Sequence, residues 1–249
     1  MKKWIFLPLL LSSALFAKDI YATFDVEADK SAELAFNASG IVQKIYVDVG
    51  SQVKQGDVLA QLDAKELQAS LDIAKSKLEA AKITLEYAQR DYQRQEKIKN
   101  LIDEALFDKF NLALKKAKTA VAEAQADVEY KQAILDNTSL KAPFDGVITS
   151  KKIEAGDVVN SMMLKTAFGI QSQSKRKLVL SFDQTYWKEV KKGDEFTYKI
   201  DGDTTKHEGK ITKIYPAANV ENRKLKAEVL AKDFIVGLFG DGTIHTSEK

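Results

Sequence analysis

Cysteine is absent from the 249 residues, which excludes disulfides, thiolate nucleophiles, Cys-bound zinc and iron–sulfur clusters. Only two histidines occur, His207 and His245. Neither has a second histidine at metal-ligand spacing, so each is interpreted as a half-buried or exposed strand residue. The sequence therefore predicts no catalytic residue, no cofactor-binding residue and no metal ligand, and it favours a protein that is not an enzyme.

A strong charge of either sign is missing as well. The chain has 38 Lys and Arg against 36 Asp and Glu, and loss of Lys2 and Lys3 with a cleaved leader would leave equal numbers. A chain with no net charge and no long basic run lacks the electrostatic footprint of a duplex-binding protein. Nucleic acid is not expected as a partner. The 45% of hydrophobic and 30% of charged residues are typical of a folded chain.

A long apolar run occurs only near the N-terminus. Residues 1–17, MKKWIFLPLLLSSALFA, have a basic start, an apolar run from Trp4 to Leu11 and small residues that end at Ala17. This layout is typical of a cleavable signal peptide, and the run is shorter than the ~20 residues that a membrane span needs. We expect an exported mature protein. Because Leu15 is large for its place before the cleavage point, retention of the segment as a membrane anchor stays open.

Glycine and proline are both absent between residues 57 and 142, which favours continuous helix. Apolar residues recur there in alternating steps of four and three, the period of a coiled-coil seam. Asn100 is predicted to end the first helix in the left-handed conformation and Asp103 to cap the second. Residues 64–137 are thus predicted to form an antiparallel helical hairpin. The two seam series are Leu67, Leu71, Ala74, Leu78, Ala81, Leu85, Ala88 and Tyr92, then Phe107, Phe110, Leu114, Ala117, Val121, Ala124 and Val128.

Two segments that flank this helical region resemble each other at a constant offset. Residues 40–50 (GIVQKIYVDVG) and 146–156 (GVITSKKIEAG) share both glycines, a β-branched pair after the first, and an acid two residues before the second. The repeat predicts two strand–turn–strand units that complete one small core together. From about Lys165 onward the apolar period is two, with turn clusters between the runs, which predicts a small antiparallel β-barrel. The fold class is α+β.

The two repeats carry a family resemblance. Residues 53–63 (VKQGDVLAQLD) and 140–148 (LKAPFDGVI) resemble the halves of a biotinyl or lipoyl carrier domain, in which a short tip bears the modified lysine. Here the helical hairpin replaces the tip, and no Met-Lys pair stands at either junction. A split lipoyl-like domain followed by a barrel is similar to the periplasmic adaptor subunits, or membrane fusion proteins, of the HlyD and RND type. The implied domains are a signal peptide (1–17), a lipoyl-like domain in two halves (36–63 and 138–164), an α-helical coiled-coil hairpin (64–137) and a β-barrel (165–249).

The resemblance implies a non-enzymatic periplasmic adaptor that links an inner-membrane transporter to an outer-membrane channel of the TolC type. Such adaptors associate with themselves into a ring and support export of drugs or other small toxic compounds. The membrane-proximal domain of larger relatives is expected to be absent or vestigial. Two alternatives remain open: a biotinyl or lipoyl carrier, and a metal-binding adaptor of a metal efflux system that would use Met162, Met163 and the two histidines.

The resemblance also implies a site at the tip of the hairpin. Adaptors of this family carry an Arg, a Leu four residues later and a Ser or Thr seven residues after that, where they meet the outer-membrane channel. At this spacing the sequence has Arg94, Ile98 and Ala105. The arginine matches, the aliphatic residue is conservative and the hydroxyl is missing. These three residues are the predicted partner-binding residues.

Overall fold

A computed structural model describes residues 18–162 and 165–246. The predicted signal peptide and Met163 lie outside the described residues. The chain divides into two compact units, one from Ala32 to Ile170 and one that joins the residues up to Ser31 with those from Gln171 onward. In chain order the strands and long helices are β1 (Lys18–Ala28), β2 (Ser31–Leu34), β3 (Gly40–Ile45), β4 (Gln52–Val53), β5 (Val58–Leu62), α1 (Lys65–Glu96), α2 (Glu104–Asp136), β6 (Ser139–Lys141), β7 (Gly146–Lys151), β8 (Val158–Val159), β9 (Phe168–Gln171), β10 (Arg176–Asp183), β11 (Glu195–Ile200), β12 (His207–Ile214), β13 (Lys224–Ala231) and β14 (Phe239–Thr246).

Six antiparallel strands form a closed barrel in the order β1, β10, β13, β12, β11, β14. Alternate residues of each strand point inward because the side-chain period of a strand is two. In the middle of the barrel the Phe24 ring meets Phe196 and Tyr198 edge to face, with centroids 5.8 and 5.3 Å apart. The predicted barrel is therefore confirmed, and its interior is filled with large apolar side chains.

The barrel differs from the expectation in one strand. Strand β1, directly after the predicted signal peptide, pairs with β10 and β14, whereas the barrel was expected to begin near Lys165. Residues just beyond 165 belong to the other unit, since β9 lies in a sheet with β2 and β7. That unit also begins at Ala32 rather than at residue 36. The physical reason is that closing the barrel requires a sixth strand, and the inward-facing alternation from Ile20 to Ala28 supplies it.

The second unit contains two four-stranded sheets, with the orders β2-β9-β7-β4 and β6-β5-β3-β8. They share one apolar core, in which Leu59, Leu62, Ile148, Phe168 and Ile170 are fully buried. Each sheet takes strands from both sides of the long helices. Two separate stretches of sequence therefore build one core.

The sequence repeat has a structural counterpart. The Gly50 N–H donates to the Ile148 carbonyl, and the Gly156 N–H donates to the Val42 carbonyl, each over 2.8 Å. These two bonds are equivalent under the offset of the repeat. Both glycines have a left-handed backbone, with φ of 88° and 95°, which L-residues with a Cβ rarely adopt. Each half thus folds its turn against the strand of the other half.

Lys151 links the acids that the two repeats share. Its ammonium lies 3.0 Å from the Glu154 carboxylate and 3.7 Å from the Asp48 carboxylate. The hydrogen bond to Glu154 is the main cause that raises the pKa of Lys151, and the Asp48 carboxylate raises it further. The charge of Lys151 therefore ties the two turns together.

Helices α1 and α2 run antiparallel along each other. Tyr92, near the end of α1, packs on Phe107, near the start of α2, with ring centroids 5.5 Å apart. At the opposite ends, Gln68 of α1 and Leu135 of α2 line one common groove. The prediction of two long helices is confirmed, and every position of the two predicted seam series is buried or half-buried. Each helix is about 48 Å long at 1.5 Å per residue.

Candidate partner-binding site at the helix apex

The apex, residues 94–106, joins the two helices in a tight connection. Helix α1 ends at Glu96, a 3₁₀ helix follows at Lys99–Leu101, and Asp103 caps α2. The Asp103 carboxylate accepts hydrogen bonds from the backbone N–H groups of Ala105 and Leu106, over 2.9 and 3.3 Å. Asp103 is thus the N-cap that the sequence predicted. Its carboxylate also suits the positive end of the helix dipole.

Asn100 does not take the left-handed conformation that was predicted for it. It lies within the 3₁₀ helix, and among the described residues only Arg223 and Asp233 combine a side chain with positive φ. The chain turns instead through the backbone bond from the Leu101 N–H to the Ile98 carbonyl, 2.8 Å long. A 3₁₀ turn satisfies helix-end carbonyls without a left-handed residue.

Arg94 stands in the last turn of α1, and its side chain is 72% exposed. Its nearest charged partner is Asp91 on the preceding turn, with nitrogen and oxygen 3.5 Å apart. An exposed pair of this kind contributes at most about 1 kcal/mol. The guanidinium therefore keeps most of its five donors available for a partner.

The structure brings the other two predicted residues to the same end of the helical pair. Ile98 is 41% exposed in the connection. Ala105 lies in the first turn of α2 with its side chain exposed, and its backbone N–H is already bonded to Asp103. Because alanine lacks the hydroxyl of Ser or Thr, residue 105 can contact a partner only through its methyl group.

Sequence reasoning missed two apolar residues of the apex. Leu101 is 84% exposed, and Leu106 is 42% exposed. Neither belongs to a seam series, so neither has a place between the helices. Leu101 lies in the predicted connection and Leu106 in the first turn of the second helix, both outside the two seam series, and this was the signal that could have identified them. Together with Ile98 they form an apolar apex beside the charge of Arg94.

The apex rests on an ordered aromatic contact. Lys99 places its ammonium 4.9 Å from the centre of the Phe107 ring, which packs on Tyr92. The Tyr92 hydroxyl donates to Glu96 over 3.3 Å. Desolvation, and then the charge of Glu96, raise the pKa of Tyr92. The last turn of α1 is thus tied to the first turn of α2 directly below the exposed leucines.

The two histidines have structural partners on the barrel. His245 on β14 lies 2.7 Å from the Asp19 carboxylate through Nδ1 and 3.1 Å from the Thr197 hydroxyl through Nε2. His207 stacks on Tyr198, with ring centroids 5.5 Å apart. Throughout the ranges 18–162 and 165–246, no group of three or more His, Cys, Asp or Glu residues could hold a metal ion. Met162 is 89% exposed, and its neighbour Met163 is outside the described ranges.

The described part of the chain has no helix that could span a membrane. Neither α1 nor α2 is apolar enough over a sufficient length to cross a bilayer.

Together these elements define the architecture of the protein. It has a β-sandwich unit that is interrupted by a long helical pair, and it has a six-stranded barrel. A family model for CzcB-like barrel-sandwich hybrid domains matches residues 30–168, and the chain belongs to this family. The resemblance to membrane fusion proteins stated from the sequence is thereby confirmed.

Curated relatives support the same family. The multidrug resistance protein MdtA of Photorhabdus laumondii is 26% identical over 138 residues, which cover 55% of this chain and 34% of that protein. The macrolide export protein MacA of Yersinia pestis is 30% identical over 161 residues, which cover 57% of this chain and 43% of that protein. This chain thus matches less than half of the length of either relative.

A solved structure shares the fold. The membrane fusion protein Spr0693 from Streptococcus pneumoniae R6 superposes with a TM-score of 0.73 at 17% identity, and the match covers 92% of this chain and all of that one. At this identity the likeness concerns the fold alone.

Proposed function

We propose that this protein is a non-enzymatic periplasmic adaptor of a tripartite efflux pump. It connects an inner-membrane transporter with an outer-membrane channel and supports export of drugs or other small toxic compounds. The observation that carries the proposal is the exposed apex, with Arg94 beside three uncovered apolar side chains, on a helical pair inserted into a domain of the CzcB-like family. The curated relatives whose names refer to multidrug resistance and macrolide export support the substrate class.

In this proposal the sandwich unit is a split lipoyl-like domain that holds the base of the helical pair. The paired bonds at Gly50 and Gly156 support it, since they make each half depend on the other. A base built from both sides of the hairpin fixes both helices, so a force at the apex is carried into one core. The barrel is then the docking surface for the transporter.

The apex is proposed to meet the outer-membrane channel, of the TolC type. Arg94 offers donors to carboxylates or backbone carbonyls of the channel, and Lys would not reproduce their planar geometry. Ile98 and Leu101 supply the apolar contact beside it. Ala105 contributes only its methyl group.

Several copies are proposed to associate side by side into a ring, because head-to-tail interfaces close when their rotation allows it. The site of action is the periplasm. Export by a signal peptide at residues 1–17 is part of the proposal, and the association with the inner membrane runs through the transporter. Retention of this segment as an anchor would strengthen that association.

The carrier alternative requires a modified lysine at an exposed turn between the two halves. The chain enters α1 directly after Asp63 and Ala64, so the turn that would bear the lysine is replaced by helix. We expect the intact mass of the exported protein to equal that of the polypeptide. A lysine adduct with the mass of biotin or lipoate would favour the carrier instead.

Replacement of Arg94 tests the proposal in cells. In a strain that lacks the gene, Arg94→Ala is expected to abolish drug resistance with normal export and folding, since an interface arginine commonly contributes about 1–3 kcal/mol or more. Ala105→Ser is expected to be neutral or mildly strengthening. The matched control is Arg90→Ala one turn below, whose guanidinium lies 3.3 Å from Glu86 and over the Tyr87 ring. Full resistance with both Arg94→Ala and Arg94→Glu would require withdrawal of the apex assignment.

A further inference from the structure

One end of the barrel combines exposed apolar and basic side chains. The basic end, defined here as Lys18, residues 184–192 and residues 219–224, gathers where β1 begins, β10 ends and β13 begins. Strand register brings these parts together, since Asp183 pairs with Lys224 across β10 and β13. The Gln184 N–H donates to the Arg223 carbonyl, and the Trp187 N–H donates to the Gln184 carbonyl, each over 3.1 Å.

Two large apolar side chains of the basic end have no cover within their unit. Trp187 is 64% exposed, and Val220 is 92% exposed at the top of the loop between β12 and β13. The loop is held in shape, because Asn219 accepts hydrogen bonds from the backbone N–H groups of Glu221 and Asn222. Val220 is therefore presented outward by an ordered turn.

The charges of the basic end are mostly positive. Its acids are Glu189 and Glu221, and Glu189 lies 3.0 Å from the Lys18 ammonium. Three flanking acids are engaged locally. The Asp19 carboxylate lies 2.7 Å from the His245 ring, and the Asp183 carboxylate accepts a hydrogen bond from the Thr185 N–H. Asp194 is buried and accepts from the Lys191 N–H. Glu221 is thus the one acid of the basic end without an ion pair among the described residues. The exposed basic residues are Lys18, Lys188, Lys191, Lys192, Arg223 and Lys224.

The course of the chain places this end next to the most apolar part of the sequence. Lys18, the first described residue, lies here, with its ammonium 4.6 Å from the centre of the Tyr186 ring. The 17 residues before it contain the apolar run from Trp4 to Leu11. If residues 1–17 direct the chain through the inner membrane, Lys18 is the first folded residue to follow them. The basic end is then the part of the barrel that is nearest to the lipid in sequence.

We propose that the basic end of the barrel binds directly to an anionic phospholipid surface. Trp187 and Val220 enter the interfacial region, where tryptophan is favoured, and the lysines and Arg223 contact the phosphate headgroups. The surface fits a membrane better than a protein groove, because its two exposed apolar side chains come from separate segments whose other exposed residues are mostly long basic side chains. This proposal rests on the export through the inner membrane that the proposed function includes, and it does not depend on a contact between the apex and a channel.

Trp187 is itself the probe. The sequence has two tryptophans, and the other is Trp4, so the tryptophan emission of a chain that starts at Lys18 comes from Trp187 alone. Vesicles of phosphatidylcholine with about a third phosphatidylglycerol are expected to shift its emission to the blue and to protect it from acrylamide. Pure phosphatidylcholine vesicles should do so weakly, and high salt should reverse the effect.

Matched variants locate the contact. Lys191→Gln with Lys192→Gln is expected to weaken cosedimentation with the anionic vesicles by about 25-fold, at about fivefold for each lysine near the surface. The control, Lys75→Gln with Lys77→Gln on α1, removes equal charge and should leave binding unchanged. Val220→Ser is expected to weaken binding severalfold, and Glu221→Gln to strengthen it.

Two results would overturn the proposal. One is an unchanged Trp187 emission with all of the protein left in the supernatant for every vesicle, in which case this surface serves a protein partner. The other is vesicle binding that the Lys191 and Lys192 double variant retains in full. All of the substituted side chains are exposed, so a circular dichroism spectrum identical to that of the parent confirms that each variant is folded.

Discussion

The barrel and the helical pair bury their apolar residues in different ways. The barrel collects sixteen buried hydrophobic residues around one centre, and its strands come from opposite ends of the chain. The helical pair has only three buried residues on each helix, although α1 has 32 residues and α2 has 33. The barrel has a deep core built by strands that are distant in sequence, whereas the helical pair has a thin seam between two helices that follow each other in sequence.

The difference predicts how each region responds to damage. A side chain at the centre of the barrel touches several strands, so its loss is felt by all of them. A seam residue contacts one neighbouring helix, and the surrounding turns can partly close the gap. The barrel is therefore suited to hold a surface in shape, and the helical pair to carry an apex far from its base.

The largest expected effect is in the barrel. Phe24→Ala removes a ring that is 2% exposed and contacts two other aromatic rings, and should lower the free energy of unfolding of this unit by about 3–5 kcal/mol. Hydrogen exchange of the barrel strands measures the loss. The control is Phe239→Ala on the neighbouring strand β14, where the ring is exposed. Equal effects of the two variants would contradict the picture of one central core.

A smaller loss is expected in the seam. Leu78→Ala removes a side chain that is 7% exposed on α1 and should cost about 2 kcal/mol, the lower limit for a buried leucine, because the two helices can close around the gap. Amide hydrogen exchange should become faster in α1 and α2, whereas the exchange rates in β10 and β13 should not change. Ile83→Ala, at an exposed position of the same helix, should be nearly silent. Loss of protection in the barrel would show that the two regions are not independent.

The smallest effect concerns the apex. Asp103→Ala removes the N-cap of α2 and should cost about 1 kcal/mol, expressed as fraying of the first turn of that helix. Asp103→Asn keeps the acceptor oxygen and should restore most of the protection at Ala105 and Leu106. If Asp103→Ala and Asp103→Asn gave the same hydrogen-exchange rates at the Ala105 and Leu106 amides, the side-chain cap would not be what stabilises the apex.

The same contrast explains what the sequence could predict. The seam is a local pattern, so the period of its residues located both helices and their inward faces. Strand β1 was missed although Ile20, Ala22, Phe24 and Val26 alternate, because its partner strands begin only at Arg176 and Phe239 and no local feature identifies them. The repeat at Gly50 and Gly156 was visible because both halves need the same left-handed turn.

The role of Arg94, Ile98 and Ala105 in binding stays a prediction, and the sequence did not identify every exposed side chain at the apex. Arg94 and Ile98 were found through family spacing, and both lie at the apex. Leu101 was missed because its exposure depends on how α1 ends, in a 3₁₀ turn rather than in a left-handed Asn100. A few backbone hydrogen bonds decide between these two helix ends, and neither end produces a periodic pattern of residues in the sequence.

Crosslinking from the apex in living cells tests the adaptor proposal most directly. A photoreactive amino acid at position 101 of the full chain, expressed in the native host, is expected to form adducts with an outer-membrane channel protein identified by mass spectrometry. The same group at Tyr87, which is exposed on the side of α1, is the control and should give far less of that adduct. Absence of any outer-membrane adduct from position 101, with the protein exported and folded, would contradict the account.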